Sequence, residues 1–300
     1  MIEVVAAVIE RPDGSFLLAQ RPADKVYAGW WEFPGGKVES GEPPGRALER
    51  ELHEELGIEV VKAYPWISRV HVYEHGTVML NFFRVVSWRG EPHPRESQAF
   101  AWQRLGGPSV EPMLPANGPV LASLALPLEY AITDAQSLGL VAQLERIEAR
   151  LKNGLRLIQV RDKGNWERAQ LIYAVKSMAR QYGARVLVNG GPAADGIHLS
   201  AEQLMTLRSK PQDGLVAASC HTLQELGHAM AIGLDFAVLG PVKASTTHPG
   251  APPLGWDEFR RIAAGASIPV YAIGGLKLQD MDEARAAGAH GLAMIRGAWS

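Results

Sequence analysis

Glu51, Glu54 and Glu55 fall at helical spacing in the stretch GKVESGEPPGRALERELHEELGI, which runs from Gly36 to Ile58. At about 100° of rotation per residue, the three carboxylates share an arc of about 100°. Leu48, Leu52 and Leu56 form an apolar stripe beside that arc, the pattern of a helix with one face in a core. Pro43 and Pro44 suit a first helical turn and Gly57 suits the position just past the end, so residues 43–56 are expected to be a helix. The acidic face is unfavourable by itself, because like charges at i,i+4 cost about 0.2–0.5 kcal/mol per pair. A divalent cation turns that repulsion into binding. All-oxygen ligation without convergent Cys or His favours Mg²⁺ or Mn²⁺ over zinc, and His53 points to the far side of the wheel. A solvated Glu-rich face that holds no ligand is the competing reading of the cluster alone.

The surrounding residues decide between the two. Gly36, five residues, Glu42, seven residues, Arg50-Glu51-Leu52, one residue, Glu54-Glu55, one residue, Gly57-Ile58 reproduces the Nudix box. The sequence resembles Nudix hydrolases, which implies an α/β/α sandwich with a mixed sheet. It also implies cleavage of a nucleoside diphosphate linked to another group, with Mg²⁺ on the carboxylates of the box helix. By that resemblance Glu51, Glu54 and Glu55 hold the metal, Glu42 reaches in from the loop, and Gly35 and Gly36 let the backbone come close. Glu51 is assigned the proton taken from water, although the carboxylate that acts as base varies among Nudix proteins. Arg50 is expected to point away from the metal arc and to grip a glutamate by a bidentate pair.

The resemblance extends over most of residues 1–126 and is closest to MutT-type 8-oxo-dGTP diphosphatases. It rests on Gln20-Arg21, Glu32-Phe33-Pro34-Gly35-Gly36-Lys37, Trp88 with Gly90-Glu91-Pro92, and Pro115-Ala116-Asn117 with Pro119-Val120. It implies hydrolysis of 8-oxo-dGTP to 8-oxo-dGMP and pyrophosphate, that is, nucleotide-pool sanitation in the service of DNA repair and replication. Arg21, Phe33, Gly36, Phe82 and Asn117 then bind the nucleotide, with Asn117 reading the purine edge. An amide donates and accepts at once, which suits a purine whose oxidised form exchanges an acceptor for a donor. Asn117 equally suits the N-cap of the helix that follows, and Phe82 equally suits a core. One departure stands out: Ala101 precedes Trp102 where MutT proteins carry a further acidic ligand, and Glu96 is the acid at hand to replace it.

The elements that position these residues follow from hydrophobic pattern. Ile2–Glu10 and Phe16–Gln20, joined by Pro12, Asp13 and Gly14, give a hairpin signal. Trp30–Phe33, Ile58–Val60, Ile67–Val72 and Val78–Trp88 are expected strands, and a short helix opens at Pro115-Ala116-Asn117 and ends near Leu126. From Pro127 the rhythm changes, which divides the chain into domains 1–126 and 127–300. Short apolar runs at Leu128–Thr133, Leu155–Arg161, Arg185–Asn189, Gly196–Leu199, Leu215–Cys220, Phe236–Val242, Pro269–Gly275 and Gly291–Arg296 alternate with helical pattern. Eight parallel strands close a small (β/α)8 barrel of the TIM type. Gly190–Asp195 is too short for a full crossover helix, and no closing helix fits after the last strand.

Residues 128–300 resemble thiamine phosphate synthase and the related thiazole tautomerase. The motifs are Ile132-Thr133-Asp134, Gln159-Val160-Arg161-Asp162-Lys163, Asp195-Gly196-Ile197-His198-Leu199, Ser219-Cys220-His221, Gly240-Pro241-Val242 and Ala272-Ile273-Gly274-Gly275. The resemblance implies phosphate binding by Gln159, Arg161, Lys163 and Asn189, with Gly274-Gly275 and Arg296-Gly297 as a cup at the barrel's C-terminal face. The two aspartates that hold Mg²⁺ in the synthases are absent: Asn189 is followed by Gly190, and Gln203 stands at the other position. Ser245-Thr246-Thr247 ends in His248 rather than Lys. His221 matches the tautomerase histidine that shuttles a proton without a metal. Three readings follow for the barrel: thiamine phosphate synthesis, thiazole tautomerisation, or a non-catalytic module that binds a thiazole or thiamine phosphate.

Composition limits the partners. Among 300 residues, 30 Lys+Arg stand against 32 Asp+Glu, and 47% are hydrophobic. Such a balance excludes an extended basic face for a nucleic-acid polymer while leaving room for one nucleotide. The single cysteine, Cys220, excludes an internal disulfide and a Cys-rich zinc site. With no apolar stretch of membrane-spanning length and no leader-like start, the expectation is a cytoplasmic protein that binds no membrane.

Overall fold

A computed structural model describes residues 1–74, 76–95, 99–107, 109–161, 168–189, 195–211, 214–244 and 252–300. Glu96, Asp162, Lys163, Gly190, Ser245, Thr246, Thr247 and His248 lie outside the described residues. Two compact units make up the chain, Met1–Ala125 and Leu126–Ser300.

In the first unit, β1 (Ile2–Ile9), β2 (Phe16–Gln20) and β3 (Trp31–Glu32) precede helix α1 (Pro44–Leu56). Strands β4 (Glu59–Tyr73), β5 (Gly76–Arg89) and β6 (Phe100–Gln103) and helix α2 (Asn117–Leu124) follow. One sheet has the order β1-β5-β4, with β1 parallel to β5 and β4 antiparallel to it. The other, β3-β2-β6, is antiparallel. Strand β1 is apolar at consecutive positions because both of its faces are covered. Val5, Ala7 and Ile9 pack with Ala47, Leu48, Leu52 and Leu56 of α1, whereas Ala6 and Val8 pack with Phe33, Phe82, Val120 and Leu124. This is the expected layering of helix, mixed sheet and helix.

Two local expectations are corrected. Strands β1 and β2 do not form a hairpin ladder. The chain turns at residues 11–15, but only a single bridge, Glu10 to Phe16, joins the two, and each strand finds its partners in a different sheet. The runs at 58–60 and 67–72 are one strand, β4, kept continuous through register shifts around Val60–Ala63 and Pro65–Ser68.

Among the described residues the second unit contains eight strands: β7 (Glu129–Ile132), β8 (Leu157–Val160), β9 (Arg185–Asn189), β10 (Gly196–Leu199), β11 (Leu215–Cys220), β12 (Phe236–Leu239), β13 (Val270–Ile273) and β14 (Gly291–Met294). Neighbours pair in parallel all the way round, and β14 pairs with β7 to close the barrel. Its helices are α3 (Ala135–Leu138), α4 (Leu140–Lys152), α5 (Arg168–Gln181), α6 (Ala201–Thr206), α7 (Leu223–Ala231), α8 (Gly255–Ala263) and α9 (Met281–Ala286). After β14 only a single 3₁₀ turn, Arg296–Ala298, follows. Inward residues fill the barrel: Tyr130, Leu157, Leu187, Phe236 and Tyr271 form one buried cluster. Phe236 meets Tyr130 and Tyr271 edge-on, with ring centroids 5.2 and 5.1 Å away. Outward residues such as Ala131, Ile158, Val160 and Val186 pack beneath the helices with Ile147, Leu171 and Val175. The interior below the strands' C-terminal ends is therefore filled by these side chains.

Among the described residues no helix is long and apolar enough to cross a membrane. Cys220 is buried in the barrel wall, and burial pushes its thiol up to about 12. At pH 8 it is a protonated, inert group. An aromatic disulfide reagent is expected to leave it untouched in the folded protein and to titrate one thiol after denaturation. Stoichiometric reaction of the native protein contradicts this packing.

Candidate functional sites

The acidic helix α1 is held as its sequence dictates. Pro44 opens it, and Gly57 ends it in the left-handed conformation at φ 69°, donating its N–H to His53 O over 3.0 Å. The loop before it lies along β1: Val5 donates its N–H to Gly36 O (2.9 Å) and Ala7 to Pro34 O (2.8 Å). That contact brings Gly35 and Gly36 against the helix. The N–H of Gly35 donates to Glu55 Oε2 over 3.2 Å. A Cβ on Gly36 would stand 2.2 Å from the Glu51 carboxylate, so the glycine is what allows Glu51 to approach the loop.

Arg50 is the centre of the cluster. Its Nε and Nη2 donate to the two oxygens of Glu42 at 3.1 and 2.9 Å. Its Nη1 donates to Glu51 Oε1 at 2.8 Å and Glu54 Oε2 at 3.2 Å, and Nη2 also reaches Lys37 O at 3.0 Å. The bidentate grip on Glu42 is as expected. The expectation that Arg50 points away from the acidic arc is not met: the guanidinium swings over the arc and neutralises it. This pairing holds the Glu42 carboxyl below the usual carboxylate range, with the Arg50 hydrogen bond as the largest cause. Among the described residues no three acidic or imidazole side chains form a ready metal cage. The donor set nonetheless fits a hard cation. Glu51, Glu54 and Glu55 are all-oxygen, Glu54 is half-exposed, and the glycine backbone comes within contact of Glu51.

Next to this cluster a cavity of about 40 Å³ is lined by Glu32, Phe33, Gly35, Tyr73, Phe82 and Asn117 among others. Phe33 and Phe82 meet edge-on at 5.9 Å. Asn117 does not cap α2: its Nδ2 donates to Trp31 O over 3.2 Å and Ala116 takes the cap position, so the N-cap reading is set aside. Arg21 and Gly36 are outside the lining. Arg21 donates instead to Val26 O (2.7 Å) and to Glu32 Oε1 (2.5 Å). Burial pushes the Glu32 carboxyl up, against the opposing pull of Arg21. The sequence reading passed over Glu32 and Tyr73. Glu32 stood inside the quoted Glu32-Phe33-Pro34 motif, whereas Tyr73 gives no signal until β4 is known to be continuous.

In the second unit, a cavity of about 440 Å³ opens at the C-terminal ends of the strands. Gln159, Arg161, Asn189, His221, Gly274 and Gly275, all expected at this face, line it. Lys277, which had no sequence signal, joins Arg161 and Arg296 there, and no Asp or Glu occurs among the described lining residues. A Cβ on Gly275 (φ 63°) would lie 2.5 Å from Ala244 O, and one on Gly297 would lie 2.4 Å from Leu276 O, so these turns close tightly only as glycine. His221 Nδ1 is 2.7 Å from Gly240 O. A carbonyl only accepts, which puts the neutral ring's proton on Nδ1 and leaves Nε2 as its basic nitrogen. Gln203 is spent on a capping box with Ser200, accepting its N–H at 2.9 Å. Neither Gln203 nor the Asn189 amide replaces a metal-binding carboxylate, so the described residues do not fit Mg²⁺ at this second site.

Comparison with known proteins agrees with both halves. Residues 2–124 match the NUDIX domain and residues 129–298 match the thiamine monophosphate synthase family. The chain belongs to both families, a Nudix domain fused to a thiamine-phosphate synthase domain. It is 45% identical to the CTP pyrophosphohydrolase of Escherichia coli over 40% of this chain and 89% of that protein. It is 34% identical to the 8-oxo-dGTP diphosphatase of the same organism over 41% of this chain and 95% of that protein. The thiamine-phosphate synthase of Thermosynechococcus vestitus is 36% identical over 51% of this chain, a match that spans 47% of that protein's length.

The two loop glycines separate by what surrounds them. A Cβ on Gly35 (φ 145°) would lie 2.1 Å from the backbone oxygen of Val5, whereas one on Gly36 meets the movable end of Glu51. Gly35→Ala is expected to lower the unfolding temperature of the N-terminal unit by roughly 5 °C or more, and Gly36→Ala by no more than about 2 °C. Equal shifts in calorimetry contradict the assignment.

Proposed function

We propose that the Nudix unit is a nucleoside triphosphate pyrophosphohydrolase that converts 8-oxo-dGTP to 8-oxo-dGMP and pyrophosphate, removing an oxidised precursor from the DNA precursor pool. The observation that carries the base assignment is the orientation of Asn117. One N–H of its Nδ2 is donated to Trp31 O, which fixes which way the amide is turned and leaves Oδ1 as an acceptor for a base at the cavity. Oxidation at C8 turns N7 of guanine from an acceptor into an N–H donor, and an acceptor at Asn117 favours that form. Phe33 and Phe82 give the base an apolar surface, and Arg21 acts through Glu32, which it holds at the cavity wall.

Glu51, Glu54 and Glu55 would hold Mg²⁺ or Mn²⁺, which supplies the positive charge that a polyphosphate and an attacking water both need. Glu51, pressed against Gly36, accepts the proton of that water. Glu42 positions Arg50 and is at the same time held by it, and Arg50 aligns Glu51 through Nη1. Gly35 fixes Glu55 through its N–H. A second reading, CTP as substrate, is favoured by the half-buried Glu32, whose carboxyl offers an acceptor to an exocyclic amine, and by the 45% identical relative.

Turnover of 8-oxo-dGTP, dGTP and CTP with Mg²⁺ tests these readings. The expected result is release of pyrophosphate with kcat/KM for 8-oxo-dGTP at least about 100-fold above dGTP and CTP, a margin that hydrogen-bond readout can supply. Glu54→Gln is expected to reduce turnover by about 10²–10⁴ with the fold intact. CTP as the best substrate transfers the assignment to the second reading, and orthophosphate as product contradicts both.

For the barrel, we infer a site for a phosphate ester of a thiazole or of thiamine that works without a metal. Three cationic side chains with no described carboxylate among them favour a dianion, and the glycine turns leave backbone N–H groups near it. His221 is the candidate acid–base group for tautomerisation, through Nε2. Calorimetry of the full chain with thiamine phosphate in EDTA is expected to show micromolar binding, weakened at least about tenfold by Arg161→Met. Binding that needs Mg²⁺, or that ignores Arg161, contradicts this reading.

A further inference from the structure

Helix α1 ends in a contact that the acidic cluster does not account for. A helix leaves its last four carbonyls without partners in its own backbone. In α1 these belong to His53, Glu54, Glu55 and Leu56. Gly57 donates one N–H, to His53 O. The segment after β5 supplies further donors. His93 donates its N–H to Leu56 O over 3.1 Å, and Arg95 donates its N–H to Glu55 O over 3.0 Å. Arg95 Nη1 also donates to His53 O, over 3.1 Å.

The crossing needs glycine on both chains. Gly90, at φ 87°, turns the chain after β5, and a Cβ there would lie 3.2 Å from Gly57 O. A Cβ on Gly57 would stand 2.4 Å from His93 Cε1 and 2.8 Å from Arg95 Nε, so a side chain at 57 would push both off the helix end. His93 in turn orients Arg95. Its Nδ1 lies 2.9 Å from Glu91 O, and a carbonyl only accepts, so the neutral ring carries its proton on Nδ1. Nε2 is then the acceptor, and Arg95 Nε donates to it over 3.2 Å. The guanidinium is thereby fixed at the negative end of the helix dipole.

Glu55 is where this brace meets the acidic site. Gly35 N–H holds its carboxylate and Arg95 N–H holds its carbonyl, so two separate loops grip one residue at both ends. Glu54 sits in the same last turn, the part of a helix that frays when nothing outside holds it.

We propose that His93 and Arg95 are positioning residues for the metal site. They brace the last turn of α1, so that Glu54 and Glu55 present their carboxylates to a divalent cation in one fixed arrangement. Both act through the helix backbone. The proposal rests on the metal-binding role of α1 given above, whereas the brace itself does not.

Mn²⁺ titration of the full chain, read by the paramagnetic signal of the free ion, tests the proposal. Arg95→Ala is expected to bind Mn²⁺ about three- to tenfold more weakly than the wild type. Arg95→Lys is expected to recover to within about twofold, because it returns a cationic donor to His53 O. The double variant Arg95→Ala/Glu55→Gln is expected to lie within about twofold of Glu55→Gln alone, since Arg95 acts through Glu55. Wild-type affinity in Arg95→Ala, or penalties that add in full in the double variant, overturns the proposal. Amide hydrogen exchange at residues 54–57 is expected to quicken at least about threefold in Arg95→Ala, while the unfolding temperature moves by no more than about 2 °C. Unchanged exchange overturns the brace. If the wild type takes up no Mn²⁺, the metal-binding role and the proposal fall together, and the brace is judged on exchange alone.

Discussion

The first unit depends on charge neutralisation at one turn of one helix. Three glutamates on a single arc repel one another, and a fourth from the preceding loop adds to them. A single guanidinium holds Glu42 with two of its nitrogens and reaches Glu51 and Glu54 with the third. Pairs on a protein surface contribute little individually. Here the pairing matters for geometry more than for stability, since it ties the loop, the helix and the glycine turn into one arrangement. The loop in turn is held because Val5 and Ala7 of β1 donate to Gly36 and Pro34. Loss of that strand contact would leave the carboxylates without a common frame.

The barrel shows a different economy. Its floor is filled by aromatic rings, and its open face carries cations, glycine turns and polar side chains without described carboxylates. Where a synthase would place metal-holding aspartates, the sequence has Gly190 and Gln203, the latter engaged in capping a helix. An anion held there is met by side-chain charge and backbone N–H groups.

Much of this was legible from the residues. The α1 helix, its apolar stripe and its ending at Gly57 follow from periodicity and local backbone preference. So do the eight barrel strands, each a short apolar run in the expected order. Strand pairing was not legible: β1 and β2 adjoin in sequence yet belong to different sheets, because their partners are set by burial far along the chain. The position of Arg50 was missed because a helical wheel fixes Cα directions, whereas a long guanidinium side chain crosses to the neighbouring arc. Asn117 suited a cap by residue type, and only the approach of Trp31 O revealed its other partner. Tyr130 and Lys277 carry no local pattern at all, since their roles come from what the closed barrel brings beside them.

The central claim is that the acidic arc of α1 is a site for a hard divalent cation. Titration of Mn²⁺ into the full chain, followed by the paramagnetic signal of the free ion, tests it most directly. The account predicts saturable uptake that weakens at least about tenfold when Glu51 or Glu55 is replaced by Gln. No uptake by the unaltered chain, even with a nucleotide present, or uptake indifferent to both replacements, would contradict it.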